Sequence, residues 1–207
     1  MKHFFILLLS LGLKCSYAQL NVGAAYGTFN NPGSTIKFRG WGPGLMLEYT
    51  NEDDSEIYLN FSWYKKSITT LSEPIYEDDI IVGNKKITET YNYKYLQLGF
   101  KRALVGDFSD TRVNWFAGGG GALGFVNRKD KYETSGNEVS TVKGNYLIYG
   151  FNFNTGLQCR IEPVIIELKG NLDFSLKPIV SSNDGGYMGA YVLTSTRLGI
   201  LIPLTKY

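Results

Sequence analysis

The chain has 207 residues, enough for one domain, and a formal net charge of only +2, which excludes the basic field that selects nucleic acid. Its 24 glycines, 15 tyrosines and 12 phenylalanines favour β-structure with tight turns over helices. A slightly polar mean hydropathy excludes a bundle of membrane helices.

Residues 1–19 read as an export signal. Lys2 gives a positive start, Phe4 to Leu13 is an apolar run of about ten residues, and Ser16-Tyr17-Ala18 supplies a small-x-small cleavage pattern. The run is too short to span a bilayer. Cleavage is expected after Ala18 or Gln19. Lys14 stands where a small residue normally precedes a lipidated cysteine, so Cys15 does not indicate a lipid anchor. Loss of residues 1–19 removes Lys2 and Lys14 but no acidic residue, so 21 basic residues become 19 against 19 acidic ones. His3, the only histidine, leaves with the segment, and Cys159 becomes the only cysteine, which rules out an intrachain disulfide.

From residue 20 onward the hydrophobic period is two. Strands are predicted at 20–29, 41–50, 56–66, 90–103, 111–126, 145–161, 163–176 and 187–203. In the third, Ile57, Leu59, Phe61 and Trp63 alternate with Tyr58, Asn60, Ser62 and Tyr64. In the fourth, Leu96, Leu98 and Phe100 alternate with Gln97, Gly99 and Lys101. The seventh is the clearest: Val164, Ile166, Leu168, Leu172, Phe174 and Leu176 oppose Ile165, Glu167, Lys169, Asn171, Asp173 and Ser175. A helix would mix these sets around its circumference, whereas a strand separates them. The run Gly118 to Gly121 lies between Trp115–Ala117 and Ala122–Phe125. That context reads as a strand with room for curvature, and it lacks the following helix that a nucleotide-binding glycine loop needs.

The connections alternate in length. Short turns fall at 51–55, 104–110 and 162, and longer polar loops at 30–40, 67–89, 127–144 and 177–186. This rhythm is that of an outer-membrane barrel, with turns in the periplasm and loops outside. The expected fold is all-β: an eight-stranded antiparallel up-and-down transmembrane β-barrel over residues 20–207. Its apolar face should meet lipid. Glu48, Lys101, Arg112, Arg160, Glu167, Lys169, Asp173 and Arg197 should form a structural polar network in the lumen, because unpaired burial would cost several kcal/mol each. Two aromatic girdles are expected. Trp41, Trp63, Tyr91, Tyr93, Tyr95, Tyr146, Tyr149 and Tyr191 would form the one at the loop end. Tyr49, Phe108, Trp115 and Phe116 would form the one at the turn end.

At this point the chain resembles the small outer-membrane β-barrel superfamily, including its PorT-like branch. Tyr95-Leu96-Gln97-Leu98-Gly99-Phe100-Lys101 is similar to a strand pattern of PorT-like barrels. Trp115-Phe116-Ala117-Gly118-Gly119-Gly120-Gly121 is similar to their Gly-rich strand after a periplasmic turn. The resemblance covers nearly all of the mature chain and implies an accessory role in secretion. The C-terminal assembly signal is only partly matched, since Tyr207 is out of phase with Leu198, Ile200, Ile202 and Leu204.

Enzymes that resemble this architecture use a histidine as base or relay, and a chain without one cannot copy them. A histidine-ligated zinc site is excluded for the same reason, and no metal or cofactor is implied. Glu167 and Asp173 share a face but stand about 20 Å apart along a strand, too far for a glycosidase pair. The acidic residues Glu73, Glu77, Asp78 and Asp79, followed by Lys85 and Lys86, match no calcium-loop spacing and read as a solvated loop. The leading expectation is a non-enzymatic outer-membrane protein of a Gram-negative cell. Its partners would be lipid and a protein reached through loops 67–89 and 127–144. A narrow channel or solute binder, and a soluble periplasmic lipocalin-like barrel, are the alternatives.

Overall fold

The computed structural model describes residues 19–31, 38–51, 54–77, 80–108, 111–134, 137–177 and 189–204. They form eight strands: β1 (Gln19–Asn31), β2 (Phe38–Thr50), β3 (Ser55–Glu77), β4 (Ile80–Val105), β5 (Val113–Thr134), β6 (Asn137–Ile161), β7 (Val164–Lys177) and β8 (Gly189–Pro203). Each pairs antiparallel with its neighbours in the chain, and β8 closes on β1. Among the described residues there is no helix. The expected fold class is therefore the observed one.

Sidedness follows the period of two. On β7, Leu168, Leu172, Phe174 and Leu176 are exposed on the barrel exterior, while Ile165, Glu167, Lys169, Asn171, Asp173 and Ser175 are buried inside. On β3, Ile57, Leu59, Phe61 and Trp63 face out, and Tyr58, Asn60, Ser62 and Tyr64 face in. The other strands repeat this, so the outer surface is a continuous apolar band and the polar side chains are enclosed. That is the reverse of a soluble barrel, whose greasy residues turn inward.

Four strands run past their expected ends. The segments 67–89 and 127–144, expected as loops, are largely strand. The β3–β4 ladder continues from Ser55↔Arg102 to Glu77↔Ile80, and the β5–β6 ladder reaches Thr134↔Asn137. The cause is physical. The period of two fades there, because Ile80-Ile81-Val82 is a continuous apolar run and Lys85-Lys86 a charged pair, so only scattered β-branched residues such as Ile68, Thr69, Thr70, Ile87, Thr88 and Thr90 betray β-structure. Because β4 also pairs with β5 up to Lys85↔Thr134, strands β3 to β6 form one four-stranded sheet. It projects beyond the other strands: β2 pairs with β3 only as far as Trp41↔Lys65, and β7 with β6 only as far as Tyr149↔Leu176.

The glycine run has a specific role in closure. A Cβ at Gly118 would stand 2.2 Å from the carbonyl oxygen of Phe100, and one at Gly120 would stand 2.1 Å from that of Leu98. These inward positions let β4 and β5 curl tightly together. Outward Gly121 would meet nothing within 4 Å. We expect Gly120→Val to abolish refolding into detergent micelles and Gly121→Ala to leave it intact, as read by heat-dependent gel mobility. Equal yields would show that tight curvature is not required there.

Candidate functional surfaces: a filled lumen and a projecting sheet

The lumen is stacked in three storeys. The lowest lies near the short turns and is built around Lys101 of β4. Its Nζ lies 2.9 Å from Glu48 Oε1 and 3.0 Å from Glu56 Oε2, and it also donates to Glu167 Oε2. Lys169 Nζ lies 2.9 Å from Glu167 Oε1 and 3.5 Å from Glu48 Oε1. Gln158 Nε2 donates to Glu167 Oε2 at 2.9 Å, and Thr50 Oγ1 donates to Glu56 Oε1 at 2.7 Å. Five strands thus meet at one fully buried charge cluster. Phe116 and Phe108 floor it, with Lys101 Nζ 4.4 Å and 5.6 Å from their ring centroids, within cation–π range.

The middle storey is polar. Arg197 Nη1 donates to Ser62 Oγ at 2.9 Å, and its Nη2 donates to Gln97 Oε1. Gln97 Nε2 in turn donates to Asp173 Oδ1 at 2.8 Å. Beside it, Tyr58 donates to Asn152 Oδ1 and accepts from Asn154 Nδ2 at 2.8 Å. Asn171 Nδ2 donates to Ser195 Oγ at 3.0 Å. The upper storey is aromatic. Phe29 stacks on Tyr64 with centroids 4.7 Å apart and touches Tyr93 at 5.1 Å and Tyr95 at 5.9 Å. Ile148, Val126 and Leu193 pack around these rings.

Of the residues predicted for the lumen, the structure brings Glu48, Lys101, Glu167 and Lys169 into one cluster and places Asp173 and Arg197 one storey higher. Two differ. Arg112 is exposed in the turn before β5, outside the lumen, because that strand begins only at Val113. Arg160 is half-buried at the rim, where its Nη2 donates to Gln19 Oε1 at 2.8 Å and to the Phe108 carbonyl at 2.7 Å. Both lie at strand ends, where parity no longer fixes direction. Glu56 and Gln158 went unpredicted, although each is in phase with buried neighbours, Tyr58 and Asn154 respectively.

The girdle is also smaller than expected. Trp41, Trp63, Trp115 and Tyr149 are exposed on the band. Tyr91, Tyr93, Tyr95, Phe108 and Phe116 are buried instead, and Tyr146 packs against the upper storey. On β4 these tyrosines share the parity of Gln97 and Lys101, so the alternation itself sends them inward. The polar lumen of the sequence reading is therefore aromatic in its upper third. The side chain of Tyr191 and residues 1–18, 78–79 and 205–207 lie outside the described residues.

On the projecting sheet, Arg128 bridges Glu89 Oε1 at 2.7 Å and Asp130 Oδ1 at 2.8 Å above the Tyr91 ring. Lys86 pairs with Glu133 at 3.3 Å. Burial pushes the Tyr91 phenol up to about 12, so it stays a neutral hydroxyl.

No protein-family model matches the sequence, and no curated protein does. Solved structures do. Ail, the attachment invasion locus protein of Yersinia pestis, aligns over 90% of this chain and 97% of its own, at 12% identity and a TM-score of 0.51. A major outer membrane protein from Thermus thermophilus aligns over 91% of this chain and 100% of its own, at 11% identity and a TM-score of 0.52. At such identities the likeness is one of fold, and it agrees with the strand order and register: the chain folds as a small eight-stranded barrel of the outer-membrane type.

Proposed function

We propose that this protein is exported, sits in the outer membrane of a Gram-negative cell, performs no catalysis, and binds a protein partner outside the cell through the β3–β6 sheet. The observation that carries this reading is the asymmetry of the strands. The apolar band suits hydrocarbon all round the barrel, yet among the described residues only four strands continue beyond it, and they do so as one paired sheet. Among the described residues, β3 past Lys65 and β6 before Tyr149 have no second strand alongside them. Edges of this kind can take an added strand from an extended partner segment. An accessory role in secretion, implied by the PorT-like resemblance, would use the same sheet.

A photo-crosslinking residue at Thr69 or Thr141, both exposed on the sheet, is expected to yield a discrete protein adduct on intact cells. Arg112, at the opposite end, should not. No adduct from either sheet position would sink the reading. The filled lumen favours contact over conduction, so planar bilayers carrying the protein should show no steady conductance. Sustained single-channel steps would favour the channel alternative.

We further propose that the export signal is removed after Ala18. Gln19 is buried, pairs with Thr50 in β1–β2 and accepts the Arg160 hydrogen bond, so it belongs to the barrel. Intact-mass analysis of protein from outer membranes should show loss of residues 1–18. Retention of residues 1–18 would refute it.

A further inference from the structure

The outer face of β4–β6 carries two features that the barrel does not need for closure, one directly above the other. The first is a shallow groove of about 320 Å³ where Gly121 leaves a gap among Leu96, Leu98, Leu123 and Tyr149. The second is a set of exposed lysines on the same face and the same strands. In register, the rungs above the groove read Lys94–Phe125–Leu147, then Asn92–Asn127–Asn145, then Thr90–Lys129–Lys143. Lys65 joins the second rung from β3, and Trp63 pairs with Lys94. Successive rungs on one face are about 7 Å apart along the strand, so at a tilt near 45° the lysines spread over ~10 Å of height.

Among the described residues, no ion pair holds Lys65, Lys94, Lys129 or Lys143, and no carboxylate occupies this face between the groove and Glu133. Lys129 and Lys143 stand directly opposite each other on paired strands, an arrangement that like charges destabilise. A bound anion removes that repulsion. Trp63, Phe125 and Tyr149 mark the level where hydrocarbon gives way to headgroups. The lysines therefore lie where a lipid phosphate would be, with an apolar slot directly beneath them.

We propose that this face is a binding site for a phosphate-bearing lipid of the outer leaflet, with an acyl chain along the Gly121 groove and the phosphate between Lys94, Lys129 and Lys143. The site rests on the membrane placement proposed above. It differs from the partner-binding edges, since it uses the flat of the sheet at its base.

The test uses full-length barrel with Trp41→Phe and Trp115→Phe, so that Trp63 alone reports. Reconstituted in dibrominated phosphatidylcholine vesicles, Trp63 should be quenched. Unbrominated lipid A or dioleoylphosphatidic acid should relieve the quenching about fivefold more effectively than dioleoylphosphatidylcholine at equal mole fraction. Lys94→Gln with Lys129→Gln and Lys143→Gln should bring that preference close to one, while the three lysine-to-arginine changes should retain it. Gly121→Leu should weaken it with the lysines in place. Stronger relief by lipid A than by phosphatidic acid assigns the site to lipopolysaccharide, and equal or weaker relief to glycerophospholipid; both support it. A parent without preference, or a triple glutamine variant that keeps it, overturns the phosphate site. Unchanged preference in Gly121→Leu overturns the acyl seat. Absence of quenching by the brominated lipid would instead overturn the membrane placement itself.

Discussion

Replacing Lys101 by methionine is expected to lower the unfolding free energy of the barrel by about 3–5 kcal/mol. The side chain is fully buried and stands within ion-pair distance of Glu48, Glu56 and Glu167, which come from three different strands. Methionine keeps much of the volume and the contact with Phe116. What it removes is the charge that lets three carboxylates share a space without water. Lys169 reaches Glu167 and Glu48, but no ion pair links it to Glu56. Most of the loss therefore comes from carboxylates left uncompensated, rather than from the lost attraction. Urea unfolding in lipid vesicles, followed by tryptophan fluorescence, measures it. Adding Glu48→Gln and Glu56→Gln to Lys101→Met should recover most of the loss, because Glu167 then keeps Lys169 as its partner and a glutamine can be buried with hydrogen bonds alone. A loss under about 1 kcal/mol for Lys101→Met alone would mean that the cluster holds nothing together.

The alternation that predicted eight strands also carried most of the lumen. Lys101 is in phase with Gln97 and Tyr95, Glu167 with Lys169 and Asp173, and the pattern puts each set on the enclosed face. The same rule sends Tyr91, Tyr93 and Tyr95 inward, yet their amphipathic chemistry suggested a headgroup girdle. Parity is the stronger signal, because a one-residue displacement would turn the whole strand inside out. Which charges meet was not legible. Glu48 and Lys101 are 53 residues apart, and their contact depends on barrel shear, which no single strand encodes. The projecting sheet was missed for a different reason. Ser67, Thr69, Thr88 and Thr90 share one face of the β3–β4 extension, with only isolated apolar residues such as Ile68 and Ile87 on the other, so composition looked like loop although backbone pairing continued.

Leu168→Arg tests the other half of the arrangement. Leu168 lies near the middle of β7, is 47% exposed, and is flanked in register by Leu157 and Leu198, which are exposed on the same face. If that face meets hydrocarbon, a guanidinium there has neither water nor a counter-ion at its depth, and the expected cost is about 2–4 kcal/mol. Asn171, three residues on, faces the lumen and donates to Ser195 Oγ. It also accepts from Asn152 Nδ2 at 3.4 Å, a long contact that adds little, so Asn171→Ala should cost only about 1 kcal/mol. The ordering carries the argument. In water, an exposed leucine exchanged for arginine costs almost nothing, whereas a buried asparagine exchanged for alanine costs more. Only a hydrocarbon exterior reverses that ranking. Equilibrium unfolding of both variants in vesicles of fixed thickness compares them directly. A tolerant Leu168→Arg beside a damaged Asn171→Ala would show that water, not lipid, surrounds the barrel.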